Sequence, residues 1–292
     1  MKHITIILPI YNDWKSLKIL LGQIETIVKQ TNYKFSILLV NDNSSLKNTY
    51  DLNKNNFFKE VKIINLKKNV GSQKAIATAL KYISEKKGII GKKFIIMDSD
   101  GEDDPKKIIN IINILTKNKN VKVITLNRTI RKESFIFSVL YEMHLFLTFL
   151  ITLNYIRFGN YSFLDLGSVK KIAKKSDLWL AYSATINKFF HNKLKIVAPR
   201  KKRISGKSKM SYFNLFKHSI NIQAVFRSNI ILCYSFYSML FLIILNYKSL
   251  PLFFIIIPII FCLHFLVINF LIKEEIPFKN CLNNIVSIKK IR

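Results

Sequence analysis

The sequence contains few acidic residues and few cysteines. Only 17 of its 292 residues are Asp or Glu, whereas 47 are Lys or Arg, so the formal net charge is +30. The three cysteines (Cys233, Cys262 and Cys281) lie late in the chain without CxxC spacing, which excludes a disulfide scaffold and a cysteine-based metal or redox site. Half of the residues are hydrophobic, which excludes a disordered chain. The charge indicates a polyanionic partner, either nucleic acid or an anionic membrane surface.

Two long runs without any charged residue occur near the C-terminus. Residues 228–247 contain none, and after Lys248 residues 249–272 again contain none. Each run reaches the length of about 20 residues that a transmembrane helix needs. The short connection would return the chain to its starting side. The sequence therefore predicts a two-helix transmembrane hairpin over residues 228–272, and a pair of buried helices in a soluble core is the alternative.

Basic residues flank both ends of this hairpin. Eight lie within residues 200–227 and five within residues 273–292, whereas the loop carries Lys248 alone. The positive-inside rule therefore predicts a multi-pass protein of the inner (cytoplasmic) membrane. Residues 1–227 would form a domain on the cytoplasmic side, and residues 273–292 a basic cytoplasmic tail. The apolar run at residues 4–10 is too short for a signal peptide.

A third apolar stretch covers residues 135–156 and is interrupted by Glu142 and His144. Its longest uncharged run is short for a membrane span. Residues 135–158 are therefore expected to form an amphipathic helix in the membrane interface or against the hairpin. A helix of the protein core is the alternative.

Short apolar runs alternate with helical patterns through the first 125 residues. The runs at residues 4–8, 35–40, 61–66, 93–97 and 121–125 predict buried strands. Helices are predicted at residues 14–29, with Asp13 as the cap, at 72–85, and from Pro105 to 117. This alternation predicts an α/β domain with a mostly parallel sheet, whose active crevice lies at the carboxyl ends of the strands.

The scarce acidic residues cluster directly after the fourth predicted strand. Five of the 17 fall within the seven positions 98–104. Asp98 and Asp100 can face one ligand, and carboxylate oxygens suit Mg²⁺ or Mn²⁺. Because such ions often keep phosphate as a co-ligand, a nucleotide diphosphate is implied. The alternative is a solvated acidic turn that caps the next helix, a role assigned to Asp103 or Asp104.

Three further features lie at predicted loops. Asp42 ends the second strand, either as a functional carboxylate or as part of an Asx turn. Gly71 follows Asn69 in a tight loop before a helix N-terminus, a place that favours anions.

Residues 199–211 form a basic loop that lacks the P-loop glycine, because Lys201 stands at that position. This loop could clamp phosphates or bind anionic lipid.

Five motifs occur in the order seen in family 2 glycosyltransferases. They are ILPIYND (residues 7–13), VNDNS (40–44), KNVG (68–71), MDSD (97–100) and RISGKSK (203–209). More narrowly, the chain resembles the dolichyl-phosphate mannose synthase and bacterial polyprenyl-phosphate glycosyltransferase group over about residues 3–272.

The resemblance implies a GT-A (Rossmann-like) domain that binds a GDP- or UDP-sugar donor, followed by the C-terminal transmembrane hairpin. The residues implied for the nucleotide are Pro9, Tyr11, Asp13, Asp42, Asn69 and Gly71. Asp98 and Asp100 would hold Mg²⁺ or Mn²⁺ with the diphosphate. Glu102 would be a third metal ligand, although it stands where this group usually has Gln.

The resemblance also implies roles for basic residues. Arg128 and Arg131 match an arginine-rich segment that approaches the acceptor or the donor phosphates. Arg203, Ser208 and Lys209 match a loop that closes over the diphosphate. The implied catalytic residues are Asp98, Asp100, Arg131 and Arg203.

The chain departs from the family pattern at several positions. Asp13 stands where Glu is more usual, and Asn41 replaces an Asp that is common in the second motif. The Gln-x-x-Arg-Trp motif of processive polysaccharide synthases does not occur, so a synthase of that kind is not expected.

The resemblance implies inverting, metal-dependent transfer of a sugar to an undecaprenyl or dolichyl phosphate, for cell-surface glycan or glycolipid assembly. A lipid phosphate is already ionised and needs no strong base. The alternative acceptor is a hydroxyl of a lipid-linked saccharide, which would require a carboxylate base such as Asp165. A non-catalytic basic membrane protein is a second alternative. Nucleic acid is not expected as a partner, because no aromatic–basic reader motif occurs, and homo-oligomer formation is left open.

Overall fold

The described part of the chain is built on one eight-stranded sheet. The computed structural model describes residues 2–48, 57–85, 91–128, 135–206, 212–247, 256–272 and 275–291. The strands are β1 (His3–Ile10), β2 (Lys34–Asn41), β3 (Glu60–Leu66), β4 (Lys93–Ile96), β5 (Val123–Asn127), β6 (Phe158–Asp165), β7 (Leu194–Val197) and β8 (Ile285–Lys290). Their order in the sheet is β7-β5-β6-β4-β1-β2-β3-β8.

Helices cover both faces of the sheet and continue beyond it. They are α1 (Trp14–Val28), α2 (Ser72–Glu85), α3 (Lys107–Lys117), α4 (Phe135–Thr152), α5 (Leu166–Ile172), α6 (Asp177–Leu180), α7 (Tyr182–Phe189), α8 (Tyr212–Val225), α9 (Arg227–Tyr247), α10 (Ile256–Ile272) and α11 (Glu275–Lys279).

The sheet is mixed but mostly parallel. Strands β1 to β4 pair in parallel, as do β5 and β7. In contrast, β6 runs antiparallel to both β4 and β5, and β8 runs antiparallel to β3. Helix α1, between β1 and β2, and helix α2, between β3 and β4, return the chain to the edge where the strands begin, so the strands that they join run in the same direction. The predicted α/β class is confirmed, whereas β6, β7 and β8 were not predicted.

Two hydrophobic layers hold the sheet between helices. Ile4, Ile6 and Leu8 of β1 point to the layer that α1 and α3 cover, while Ile7 points to the layer of α2 and α5 to α7. Because β1 is buried along its whole length, its sequence is a continuous apolar run rather than an alternating one.

The third apolar stretch forms α4, which packs against α9. The hydroxyl of Tyr237 donates to the carbonyl of Leu150 at 2.8 Å, and the Asn229 amide donates to the carbonyl of Thr152 at 2.9 Å. On its outer side α4 leaves large apolar side chains exposed, among them Phe146 at 58%. The stretch is therefore a helix packed against the first helix of the predicted hairpin.

The two C-terminal apolar runs are helical, as α9 and α10. Among the described residues, no single helix is both long and apolar enough to cross a membrane. The helices Asn214–Val225 and Arg227–Phe241 meet the length and composition together, with a bend of 86° between them. The loop between α9 and α10 lies outside the described residues.

The basic tail expected at residues 273–292 contains regular structure. It forms α11, a 3₁₀ turn (Cys281–Asn284) and β8, which extends the sheet beyond β3. Cys281 is buried at 2% exposure, and the ring of Phe278 packs on Trp179 with 6.0 Å between centroids. These apolar contacts explain why the segment folds onto the domain in spite of its charge.

Candidate active site

The candidate site lies at the carboxyl ends of parallel strands. The loops after β1, β2, β3 and β4 carry residues 11–13, 42–48, 67–71 and 97–104. Parallel strands end at the same edge of a sheet, and the central neighbours β4, β1, β2 and β3 bring these four loops together. The segment after β7, residues 198–206, approaches the same edge and contacts the acidic loop through hydrogen bonds.

Asp42 connects two of these loops. Its side chain is 2% exposed, and its two carboxylate oxygens accept hydrogen bonds from the backbone of Val70 and of Gly71, each at 2.8 Å. Burial raises the pKa of Asp42, although the two hydrogen bonds act in the opposite direction. Gly71 has a φ of +88°, which favours glycine at this bend. Asn69, in the same loop, is exposed.

The β1 and β2 loops form one hydrogen-bonded unit around Asn12. Its backbone N–H donates to the Ser44 hydroxyl, its side-chain amide donates to Ser45, and its amide oxygen accepts from the backbone of Leu46, each at 2.9 Å. The Trp14 indole also donates to the Leu46 carbonyl. The predicted nucleotide residue Tyr11 is 39% exposed beside this unit, whereas Pro9 is buried within β1. Asn12 was missed from the sequence, although its place inside the first motif pointed to it.

The acidic loop is organised by its own hydrogen bonds. The backbone N–H of Asp98 donates to Asp103, and that of Glu102 donates to Asp100. The Asn160 amide on β6 donates to Asp98 at 2.8 Å. Burial and the neighbouring charge of Asp98 raise the pKa of Asp100 and of Asp103. Burying several ionised carboxylates together costs free energy unless positive charges lie beside them.

Arginine and lysine side chains surround the acidic loop. Arg203 pairs with Asp13 and lies 3.4 Å from Asp100. Arg200 pairs with Glu102, and Lys201 with Asp104 at 2.8 Å. Backbone hydrogen bonds from Lys201 to Glu102 and from Ile204 to Asp100 fix the basic segment along the loop. Asp13 occupies the N-cap position of α1 without a side-chain capping bond, so its predicted capping role is wrong.

Arg128, at the end of β5, reaches the loop from the other side. Its guanidinium lies 3.6 Å from Asp98 and 3.9 Å from Asp103. A side chain at Gly159 would overlap that guanidinium, so the glycine makes room for it. The chain of contacts continues from Asp98 through Asn160 to Gln73, whose amide donates to Asn160 at 2.8 Å. Neither Asn160 nor Gln73 was predicted, because polar residues on a strand and a helix carry no local signal.

Several predicted residues have a different setting or lie elsewhere. Within the described ranges, no group of three or more His, Cys, Asp or Glu is arranged to hold a metal ion; Glu102 instead pairs with Arg200. Arg131, Ser208 and Lys209 lie outside the described residues.

Asp165 is not part of the site. It pairs with Lys93 at the start of β4, the opposite end from the acidic loop, because β6 runs antiparallel to β4. Its carboxylate accepts a hydrogen bond from the backbone of Ser168 and caps α5. The suggestion that Asp165 acts as a base is therefore wrong.

Comparison with known proteins identifies the family. The family model described as Glycosyl transferase family 2 matches residues 5–178. An uncharacterized glycosyltransferase of Synechocystis sp. is 26% identical over 114 residues, 38% of this chain and 33% of that protein. An undecaprenyl-phosphate 4-deoxy-4-formamido-L-arabinose transferase of Photorhabdus laumondii is 27% identical over 136 residues, 46% of this chain and 39% of that protein. The alignments thus span less than half of these relatives.

A solved structure shares the fold. Glucosyl-3-phosphoglycerate synthase from Mycobacterium tuberculosis, crystallised with Mn²⁺ and UDP-glucose, gives a TM-score of 0.50 at 10% identity, covering 78% of this chain and 79% of that one. The expected GT-A fold is thereby confirmed. The family model covers more than half of the chain, from within β1 to the start of α6, and includes the acidic loop. The chain therefore belongs to glycosyl transferase family 2 and is a glycosyltransferase.

Proposed function

We propose that this glycosyltransferase moves a sugar from a UDP- or GDP-sugar to a polyprenyl phosphate at a membrane surface. The observation that carries the proposal is the acidic loop at the end of β4, where Asp98 and Asp100 lie among the guanidinium groups of Arg128, Arg200 and Arg203. Such a set of opposite charges can bind both a divalent cation and a diphosphate.

The donor set of the loop suits a divalent metal. Asp98 and Asp100 supply hard oxygen ligands. Burial, followed by the charge of Asp98, raises the pKa of Asp100, and a bound cation would favour its ionised form. Two carboxylates do not complete an octahedral site, so the diphosphate and water would provide the remaining ligands. Bound Mg²⁺ or Mn²⁺ would stabilise the charge that develops on the departing diphosphate. Glu102, which pairs with Arg200, is left out of the proposed metal site.

The protein's own residues position the donor. In the proposed complex Tyr11, Asp13 and the Asp42 loop line the nucleotide, and Arg203 binds diphosphate oxygens. Asn160 fixes the orientation of Asp98 through its hydrogen bond. Because the arginines stand in place before the reaction, little reorganisation is needed when negative charge develops.

The proposed acceptor follows from the partners of the carboxylates around the site. Those described around the site are all engaged: Asp13, Asp98, Asp100, Glu102, Asp103 and Asp104 with basic side chains and Asp42 with backbone N–H groups. A polyprenyl phosphate suits such a site because it is ionised at neutral pH and attacks without a base. The Photorhabdus relative is named for its undecaprenyl-phosphate substrate.

The membrane association is proposed from the C-terminal helices. Leu232, Phe236 and Met239 of α9 are more than 60% exposed, as are Leu266 and Phe270 of α10. Apolar side chains exposed in such numbers favour contact with lipid. The segment also starts and ends at the catalytic domain, since α8 packs on α6 and α7 and β8 joins the sheet. This arrangement supports a hairpin whose two ends lie on the same side of the membrane as the catalytic domain.

Incubation with labelled donors tests the function. Purified full-length protein, polyprenyl phosphate, Mn²⁺ and radiolabelled UDP- or GDP-sugars should yield a lipid monophosphosugar, whereas an extended glycan would favour a lipid-linked saccharide acceptor. Asp100→Asn should lower the rate about 100-fold or more, and excess chelator should stop transfer. Asp177→Asn, which removes a carboxylate paired with Lys188 outside the site, is the matched control. Full activity of Asp100→Asn, or in chelator, would refute the metal role.

A further inference from the structure

A row of polar side chains crosses three neighbouring strands at the carboxyl edge of the sheet. Asn41 on β2 is paired with Asn65 on β3, and Asn65 with Ser287 on β8. The Asn41 amide donates to the Asn65 oxygen at 2.9 Å, and the Asn65 amide donates to the Ser287 hydroxyl at 3.0 Å. All three side chains are half-buried, so water competes only partly for these hydrogen bonds.

The row continues into the loops of the candidate site. The side-chain oxygen of Asn41 accepts from the backbone N–H of Ser44 at 3.0 Å, and the Ser44 hydroxyl accepts from the backbone N–H of Asn12 at 2.9 Å. One chain of hydrogen bonds therefore joins the C-terminal strand to the loop after β1.

The donor and acceptor roles along this row of hydrogen bonds restrict which side chains fit at position 41. An amide group has one donating and one accepting end, so Asn41 can donate to Asn65 only while its oxygen faces Ser44. An Asp at position 41 has no N–H to donate, and it would place a carboxylate against the Asn65 oxygen. If Asn65 turned its amide N–H to meet that carboxylate, its oxygen would face Ser287, and the Ser287 hydroxyl would have to donate instead of accept. The Asn found at position 41 thus matches the donor and acceptor order of the row as it stands.

We propose that Ser287 and Asn65 are positioning residues for the donor nucleotide, acting through Asn41 on the Ser44 and Asn12 loops. The inference rests on the proposed function, in which these loops line the nucleotide. It extends the donor site to β8, more than one hundred residues beyond the end of the family match at residue 178. The C-terminal strand then belongs to the binding apparatus as well as to the sheet.

The binding test uses full-length protein in detergent and three substitutions on β8. Ser287→Ala removes the last hydroxyl of the row, Ser287→Thr retains one, and Val286→Ala alters an exposed neighbour on the same strand. Loss of one such hydrogen bond should weaken the binding of UDP or GDP, measured by calorimetry, about fivefold. The KM for the donor should rise by the same factor with kcat unchanged. Ser287→Thr and Val286→Ala should bind like the natural protein.

Hydrogen exchange supplies a readout that needs no ligand. In Ser287→Ala, amides of residues 41–46 should exchange faster, while those of α2 and of β1 should not change. The double variant Ser287→Ala/Asn41→Asp should lose less binding free energy for UDP or GDP than the sum of the losses in the two single variants. Both changes interrupt the same row of hydrogen bonds, so their effects are not additive. Unchanged exchange and unchanged KM in Ser287→Ala would overturn the inference. If exchange is faster in Ser287→Ala but the natural protein binds neither UDP nor GDP, the row of hydrogen bonds is real and its role in nucleotide binding is refuted.

Discussion

Replacing Arg203 with Met should destabilise the protein. Its guanidinium pairs with Asp13 and lies 3.4 Å from Asp100, and the three side chains are 19%, 10% and 14% exposed. Removing one partner of a fully buried ion pair costs about 3–5 kcal/mol, whereas an exposed pair contributes about 0–1 kcal/mol. For side chains of intermediate burial we expect a loss of about 2 kcal/mol in the free energy of unfolding near pH 8.

The loss should depend on pH. Burial, followed by the charge of Asp98, raises the pKa of Asp100 to about 6, and Arg203 opposes that rise. The variant therefore raises the pKa further. A carboxyl group with a raised pKa in the folded protein stabilises the fold while protonated, and this contribution is lost as the pH rises through the folded pKa. The deficit of Arg203→Met should accordingly be largest near pH 8 and smaller near pH 5.

Thermal unfolding of the full-length protein in detergent measures this deficit. A loss of about 2 kcal/mol corresponds to a fall of about 4 °C in Tm. Lys202→Met is the matched control, because it removes the same charge from an exposed neighbour and should shift Tm by about 1 °C or less. An equal deficit at both pH values, or an equal effect of Lys202→Met, would refute the reasoning.

Two further substitutions test the site. Gly101 has a φ of +81°, and a side chain there would overlap Ile204; Gly101→Ala should therefore cost about 1–3 kcal/mol and lower transfer. Adding Ile204→Ala to Gly101→Ala should recover part of the stability and part of the transfer rate. A Gly101→Ala variant with unchanged stability and transfer would contradict the packing described. Asp165→Ala should lose only a helix cap, about 1 kcal/mol in thermal unfolding, with the transfer rate unchanged; a large fall in kcat would return Asp165 to the reaction.

The first five strands and the position of the acidic loop could be predicted from the sequence, whereas β6, β7 and β8 could not. The run at residues 4–8 lies within β1, which extends from His3 to Ile10, because a strand buried on both faces is a continuous apolar segment. The acidic cluster at residues 98–104 follows β4 as expected, since the end of a parallel strand marks the edge where such loops meet.

The partners of the acidic residues could not be predicted in the same way. Asp13 precedes a helix and resembles a cap, but Arg203, 190 residues later, binds its carboxylate instead. The pairing of Arg128 with Asp98 likewise depends on how β5 and β6 lie beside β4. Local patterns carry no information on such distant contacts.

The basic composition was the least informative feature of the sequence. The alternative of a non-catalytic basic membrane protein is wrong, because the chain belongs to a glycosyltransferase family. Much of the charge at residues 200–203 pairs with the acidic loop. The tail was expected to be only a charged extension, yet its few apolar residues, Phe278 and Cys281 among them, anchor it to the core.

The pairing of β8 with β3 has a consequence for synthesis of the chain. Ser287 lies 222 residues after its partner Asn65, so at about 5–20 residues per second the ribosome needs roughly 10–45 s to supply the last strand. During that interval the edge of β3 is open, and an open edge is a template for pairing with other chains. Both apolar helices emerge before β8 does. Under the proposed membrane association, insertion in those seconds would shelter the apolar segments before β8 pairs with β3.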